Sequence, residues 1–216
     1  MKSLEHLFEN NRKWAEKISQ SDPSLLPELA KGQFPDILLI GCSDSRVPPN
    51  EILGLRPGKL FVHRNIANLL IHTDINCLSV LQYAIDVLKV KHIIICGHYG
   101  CGGINAALDK KPHGLIDNWL RHIHDIYKKY EKELGLIKDE GRRVDYLCEL
   151  NVVEQVLNAA STPVVREARQ RGQPLTIHGW IYQISDGLVK DLKISISCDD
   201  DLREILNQAG SSKNRV

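Results

Sequence analysis

Two short apolar runs, residues 37–40 and 93–96, most constrain what this chain can fold into. They contain only isoleucine and leucine, apart from Cys96 at the end of the second run. Continuous apolar runs of this length are typical of strands that are buried on both faces of a parallel sheet. Segments with helical periodicity lie between and after the runs. We therefore predict an α/β fold in which helices flank a mainly parallel central sheet.

Apolar runs, which indicate strands, and helical periodicity, which indicates helices, also predict the remaining elements of the chain. Apolar residues from Leu4 to Ile18 recur at helical spacing and predict an amphipathic helix over about 3–19, within an N-terminal helical arm. Further strands are predicted at 60–63, 175–179 and 187–197, and helices at 74–90, at 102–109, at 114–160 with a break near Gly135 and Gly141, and from Pro163.

The 216 residues are predicted to form a single domain, because neither an internal repeat nor a linker divides them. In this interpretation residues 1–32 form the N-terminal arm. Residues 210–216 form a polar tail that we expect to be disordered.

The bulk composition excludes several classes of protein. A formal net charge of +1 argues against nucleic acid or an anionic membrane as the main partner. No apolar run has the length of a membrane span, and the amino terminus lacks the pattern of a secretory signal. The six cysteines do not form the dense framework of a small secreted domain. We therefore expect a reduced, cytoplasmic protein in which Cys77, Cys96 and Cys148 are core residues and Cys198 has no assigned role.

Residues that can bind a metal follow each apolar run directly. Cys42 and Asp44 follow the first run, and His98 and Cys101 follow the second. The carboxyl ends of parallel strands are where ligands bind in open α/β sheets, and these side chains make a plausible tetrahedral set for Zn2+. Because Arg46 offers Asp44 another partner, the carboxylate need not be a permanent ligand. Three firm ligands and one that can leave suit a catalytic zinc ion better than a structural one.

Other interpretations of these residues are weaker. Two buried cysteines and a satisfied loop histidine would explain any one of the positions alone. A redox C-x-x-C motif is excluded, because His98 stands where its first cysteine would be. The nearby glycines do not have the G-x-G-x-x-G spacing of a dinucleotide-binding loop.

The motifs together resemble the β-class carbonic anhydrases. The similarity extends from about residue 33 to about residue 192, and its motifs occur in the same order as in that family. These motifs are Cys-Ser-Asp-Ser-Arg at 42–46, Phe-Val-His-Arg-Asn-Ile-Ala-Asn at 61–68, Gln-Tyr-Ala at 82–84, Gly-His-x-x-Cys-Gly-Gly at 97–103, His-Gly-Trp at 178–180 and Asp-Gly at 186–187.

The resemblance implies one Zn2+ per chain, with Cys42, His98 and Cys101 as permanent ligands. It also implies a pair in which the guanidinium of Arg46 holds the carboxylate of Asp44 away from the metal, so that Asp44 is a ligand only in a closed form. The implied activity is the reversible hydration of CO2 to bicarbonate and a proton by a zinc-bound hydroxide. Hydrolysis of COS or CS2 on the same scaffold, and a zinc-binding module without turnover, are the alternatives.

The resemblance also implies a substrate pocket that a second subunit closes, with the N-terminal helix wrapped around that partner. The chain would then be a dimer or a tetramer. Each pocket position could instead reflect ordinary packing. The matching residues are Gln33, Phe61, Ile66, Tyr83 and Gly102.

Some bacterial members of the family bind bicarbonate at a non-catalytic site. Arg64 and Tyr182 match two residues of that site, but Leu39 stands where those members have a tryptophan. Leucine offers no polar group to an anion, so we expect such a site to be weak or absent. The sequence does not identify a group that exports the proton.

Overall fold

The structure, a computed structural model, describes residues 4–109 and 111–211 and contains a five-stranded sheet. Three neighbouring strand pairs are parallel and only the last pair is antiparallel, which confirms the predicted α/β fold. The strand order is β2-β1-β3-β4-β5, where β1 is Ile37–Cys42, β2 is Leu60–Asn65, β3 is His92–His98, β4 is Thr176–Gln183 and β5 is Leu188–Ile196.

The two apolar runs form the central strands β1 and β3. From Leu38 to Cys42 every residue of β1 is buried, and β3 is buried after its first residue. Because β1 and β3 are parallel neighbours, with Gly41 opposite Cys96, their carboxyl ends lie at the same edge of the sheet. This topology brings the two predicted halves of the metal site together.

Helices cover both faces of the sheet, and two helix predictions differ from what is found. The helix predicted over 74–90 changes to a π-helical turn after Gln82, and the segment 114–160 forms three helices with breaks after Gly135, as predicted, and at Tyr130. The helices are α1 Glu5–Ser21, α2 Leu25–Leu29, α3 Pro49–Ile52, α4 Ile75–Gln82, α5 Gly102–Leu108, α6 Ile116–Lys129, α7 Glu131–Gly135, α8 Glu140–Ser161, α9 Pro163–Gln170 and α10 Asp199–Ser211, with a π turn at Tyr83–Val87 and a 3-10 turn at Ile66–Asn68.

The long helix α8 packs close to the sheet at Gly179 of β4. A Cβ atom at this glycine would lie 2.5 Å from Ile194 of β5 and 3.2 Å from both Val152 and Val156 of α8. A side chain there would collide with Ile194 and would also press on the two valines of the helix. The close approach matters for the site, because the amino-terminal half of α8 contacts the loop that follows β3.

The two ends of the chain extend beyond this core. Although α1 is amphipathic, none of its residues is buried, and Leu7, Phe8 and Trp14 are exposed. Residues 210 and 211 of the predicted polar tail belong to α10, and the rest of that tail lies outside the described residues. Within the described ranges, no helix combines the length and apolar character needed to cross a membrane.

Candidate metal centre

Three potential metal donors converge at the carboxyl edge of the sheet. Cys42 is the last residue of β1, His98 is the last residue of β3, and Cys101 directly precedes α5. Their donor atoms all lie within 4.8 Å of one another, and the two sulfur atoms are 3.9 Å apart. All three residues are buried. The structure therefore assembles the three predicted permanent ligands from two separate strand ends.

The imidazole of His98 is oriented as a metal ligand. Its Nδ1 lies 2.9 Å from the carbonyl oxygen of Tyr99, to which it donates when Nδ1 carries the proton. Its Nε2 is buried and has no hydrogen-bond partner among the described residues. Buried polar atoms are nearly always satisfied, so an unpaired nitrogen beside two thiols indicates a missing ligand. A hydrogen bond from the other ring nitrogen is also how metal-binding histidines are normally held.

The two thiols are coupled electrostatically. A hydrogen bond from Cys101 is the main reason why the pKa of Cys42 is lowered to about 4, and the same contact raises the pKa of Cys101. The imidazole of His98, which lies within 4.8 Å of the thiolate but makes no hydrogen bond of normal geometry to it, and the backbone N–H groups of Asp44 and Ala67 also stabilise the Cys42 thiolate. The metal-free site thus holds one thiolate readily, and a divalent ion would displace the second proton.

A strained turn after β2 supplies one of these N–H groups. Ala67 and Asn68 have positive φ angles of 64° and 50°, a conformation that non-glycine residues rarely adopt. The side chain of Asn65 both donates to and accepts from the backbone of Leu69, and Asn151 of α8 donates to the carbonyl of Ala67 at 2.9 Å. These bonds hold the turn against Cys42, at a site where strain is commonly found.

Asp44 and Arg46 form the predicted ion pair. Arg46 donates from Nε to Oδ1 at 2.9 Å, from a terminal nitrogen to Oδ2 at 2.7 Å, and from its backbone N–H to Oδ1 at 3.0 Å. These hydrogen bonds hold the pKa of Asp44 well below its usual range. Oδ2 also lies 3.8 Å from Nε2 of His98, so the ionised carboxylate borders the space between the donors.

Arg64 supports the loop that carries the first donor. Its guanidinium donates to the carbonyl oxygens of Cys42 at 2.7 Å and of Asp44 at 2.6 Å. Tyr182, the other residue expected at a bicarbonate site, is buried in an apolar cluster with Leu39 and Cys96. The nearby cavity has a volume of only about 10 Å³. Its lining consists of Leu39, Gly41, Cys42, Val47, Pro49, Ile52, Leu53 and Cys96.

The predicted pocket residues divide into two groups in a single chain. Gly102 follows Cys101 directly, and Ile66 packs against the neighbouring Gly103, where a Cβ atom would approach its Cγ2 to 2.8 Å. These two positions lie beside the donors. Gln33 is exposed.

Phe61 and Tyr83 form a separate aromatic pair with ring centroids 5.9 Å apart. Phe61 is opposite Leu38, four residues before Cys42 on β1. At the rise of a parallel strand, this is roughly 13 Å from the ligand end of the sheet. One chain alone therefore does not bring this pair to the donors.

The residues that hold the loop between His98 and Cys101 from outside were not predicted from the sequence. The hydroxyl of Tyr99 donates to Glu149, and the carboxylate of Asp145 faces the backbone N–H of Gly100. Both carboxylates belong to α8 and line an open cleft of about 730 Å³ beside this loop. The available signal was the i, i+4 spacing of two acidic residues on a helix whose other residues pack in the core.

The donor set fits zinc. Two thiolates and one imidazole are ligands that Zn2+ prefers, and catalytic zinc sites use three protein ligands with an open position. Asp44 is close to that position but is bound by Arg46. No ion is needed to explain the fold, but one explains the unpaired nitrogen of His98.

Comparisons with known proteins agree with this interpretation. The sequence model of the family described as carbonic anhydrase matches residues 37–189. A carbonic anhydrase from Emericella nidulans is 49% identical over 189 residues, which cover 87% of this chain and 82% of that protein.

Solved structures show the same relationship. A tetrameric β-carbonic anhydrase from Sordaria macrospora superposes with a TM-score of 0.84 at 41% identity, covering 89% of this chain and 98% of that one. The Coccomyxa β-carbonic anhydrase, solved in complex with acetazolamide, has a TM-score of 0.89 at 37% identity and covers 98% of this chain and 99% of its own.

Proposed function

This chain belongs to the β-carbonic anhydrase family of enzymes, and we propose that it catalyses the reversible hydration of CO2 at a zinc ion bound by Cys42, His98 and Cys101. The observation that carries the proposal is the buried, unpaired Nε2 of His98 next to two thiols that are 3.9 Å apart. Zinc bound there supplies an acidified water as the nucleophile, although two thiolates neutralise more of its charge than three imidazoles would.

Asp44 and Arg46 control the space next to the nucleophile. Since both carboxylate oxygens of Asp44 accept hydrogen bonds from Arg46, the carboxylate is kept ionised and turned away from the donors. Oδ2 of Asp44 lies 3.8 Å from Nε2 of His98. At this position it could accept a hydrogen bond from the attacking water and so orient it. Without the hydrogen bonds from Arg46, Asp44 could become the fourth ligand of the metal.

Apolar residues suit the substrate, because CO2 is small and carries no net charge. Ile66 packs beside the start of α5, and the backbone N–H of Gly102, at the first position of this helix, offers a hydrogen bond to a substrate oxygen. Gln33, Phe61 and Tyr83 are proposed to reach the pocket of a second copy of the chain. Tyr83 is 45% exposed in a single chain, as expected of a side chain that becomes buried against a second subunit.

Self-association also explains the N-terminal helix. Leu7, Phe8 and Trp14 expose large apolar surfaces on α1, an arrangement that is unfavourable in a monomer and typical of an interface. The Sordaria relative is tetrameric. We propose that this chain forms at least a dimer through α1 and the Phe61–Tyr83 pair.

Stopped-flow measurement of CO2 hydration tests the proposal. The zinc-loaded protein should hydrate CO2 faster as the pH rises from mildly acid to alkaline, and Cys42→Ser should lose both the metal and nearly all activity. Cys77→Ser is the control for loss of a buried thiol outside the proposed ligand set. Because Cys77 lies with His63 and Asp74 in a second group of possible donors, the zinc content of this variant is measured too and should stay at one per chain. Full activity of metal-free protein, or of the Cys42→Ser variant, would refute the assignment.

A further inference from the structure

Two acidic residues of α8 face the loop between His98 and Cys101 from outside. The hydroxyl of Tyr99 donates a hydrogen bond to Glu149, and the carboxylate of Asp145 faces the backbone N–H of Gly100. The residue that follows His98 is therefore bound by a carboxylate of the helix. The acidic residues are half-buried, and their spacing of four places them on one face of the helix.

These contacts bear directly on the imidazole. The carbonyl oxygen of Tyr99 is 2.9 Å from Nδ1 of His98, and the backbone N–H of Tyr99 donates to the carbonyl of Tyr182 at 3.0 Å. Tyr99 is thus fixed at both its side chain and its backbone. Its carbonyl in turn fixes which ring nitrogen of His98 carries the proton and which is free to bind a metal.

The backbone of the loop needs such support. Gly100 has a φ of +63°, and its carbonyl accepts a hydrogen bond from Arg46 at the long distance of 3.4 Å. Buried backbone polar groups are nearly always paired with backbone, side chains or water. Here the side chains of a helix that packs close to the sheet at Gly179 line the outside of the loop.

We propose that Glu149 is a positioning residue for the metal site, and that it presets the distance and angle between His98 and Cys101 through Tyr99. The inference rests on the ligand set proposed above. Lys190 also contacts Glu149, at 3.0 Å, but it is 61% exposed, and a surface ion pair of this kind contributes little. The hydrogen bond from Tyr99 should therefore matter more than the charge of Lys190.

Zinc affinity, measured by competition with a chelator of known affinity, tests the proposal. Tyr99→Phe removes only the hydroxyl and should weaken zinc binding on the order of 10–100-fold, as loss of a group that orients a ligand does. Tyr146→Phe is a matched control, because it removes a tyrosine–glutamate hydrogen bond of the same kind, to Glu133, from the same cleft wall. The Tyr146→Phe variant should keep a zinc affinity within about twofold of that of the wild type, a much smaller change than the one expected for Tyr99→Phe.

A second measurement separates positioning from folding. The protein saturated with Co2+ has an absorption spectrum that reports the geometry of the ligands and not the stability of the metal-free chain. The spectrum should change in Tyr99→Phe and in Glu149→Leu, stay unchanged in Tyr146→Phe, and recover in Glu149→Gln, which retains an acceptor oxygen. A spectrum and a zinc affinity in Tyr99→Phe that match the control would overturn the proposal. A wild-type protein that binds no zinc would instead refute the ligand set itself.

Discussion

Oδ2 of Asp44 lies 3.8 Å from Nε2 of His98, yet the carboxylate is bound on both of its oxygens by Arg46. Without the arginine, a short rotation of the side chain would bring Asp44 among the metal donors. In the proposed mechanism, the pair would therefore decide whether the fourth position of the metal is open.

Replacing Arg46 by alanine should close that position. The freed carboxylate is expected to bind the metal, so CO2 hydration should fall by roughly 100-fold or more while the zinc content stays near one per chain. Arg46→Lys should rescue only part of the activity, because an ammonium group cannot bind both oxygens as the planar guanidinium does. Stopped-flow assays with metal analysis measure both quantities, and an Arg46→Ala enzyme of unchanged rate would contradict the role given to the pair.

Bicarbonate should not inhibit this enzyme through a site between Arg64 and Tyr182. The guanidinium of Arg64 already donates to two backbone carbonyls, and Leu39 faces an apolar cavity of only about 10 Å³. Some bacterial members of the family have a tryptophan, with an N–H donor, at the position of Leu39. The absence of this buried donor would by itself weaken anion binding by about 1–3 kcal/mol. Crystals soaked in bicarbonate test this expectation. An ordered anion between Arg64 and Tyr182 at modest concentration, with Asp44 turned onto the metal, would show it to be wrong.

The zinc-loaded protein should present one reactive thiol. Cys198 is exposed, whereas burial raises the pKa of the Cys77, Cys96 and Cys148 thiols to about 12. Thiols that remain protonated and buried react slowly. Removing the metal should add Cys42, whose pKa is lowered, to the reactive set. Mass spectrometry after alkylation counts the modified residues, and an equal count with and without metal would argue against thiolate ligands.

The carboxyl-terminal helix should lose stability at low pH. Ser197, through its hydroxyl and its backbone N–H, lowers the pKa of Asp201 to about 2. Because this value is below the unfolded value of about 4, the ionised carboxylate contributes stability that is present above about pH 4 and is lost as the pH falls through about 2.

Asp201→Asn measures this contribution. Loss of the negative charge weakens the hydrogen bonds from Ser197 and should reduce the free energy of unfolding by about 0.5–1 kcal/mol at neutral pH, and the difference from wild type should shrink as the pH falls through about 2. Asp200→Asn is the control, because Asp200 is highly exposed on the same helix. Urea unfolding of the metal-free proteins provides the comparison, and a difference between Asp201→Asn and wild type that persists unchanged at about pH 2 would exclude the mechanism.

The sequence predicts the donors and the strands but not how distant residues support the loop. Cys42 and His98 could be placed together, because parallel neighbouring strands end at one edge of a sheet. The spacing of Asp44 and Arg46 indicated that they could pair, and the resemblance to the family implied that they do. The contact from Tyr99 to Glu149 could not be predicted, since it depends on how closely α8 packs at Gly179, and no local pattern encodes that distance.

The position of the aromatic pair could not be predicted for a related reason. Phe61 and Tyr83 match family positions, but their distance from Cys42 within one chain follows from the strand register. Register is set by the whole sheet and its turns. The left-handed turn at Ala67 was equally hidden, because alanine carries no sign that its φ is positive.

The donors also tie together distant parts of the chain. Cys42 and Cys101 are 59 residues apart in sequence, and the strand β2 and the helix α4 lie between them. An ion bound to both would act as a cross-link, and a disulfide closing a loop of this length lowers the entropy of the unfolded chain by the equivalent of roughly 4 kcal/mol. The free zinc concentration would then influence the stability of each molecule as well as how fast it works. A cell short of zinc would hold a less stable protein that is more readily degraded, in addition to losing its activity.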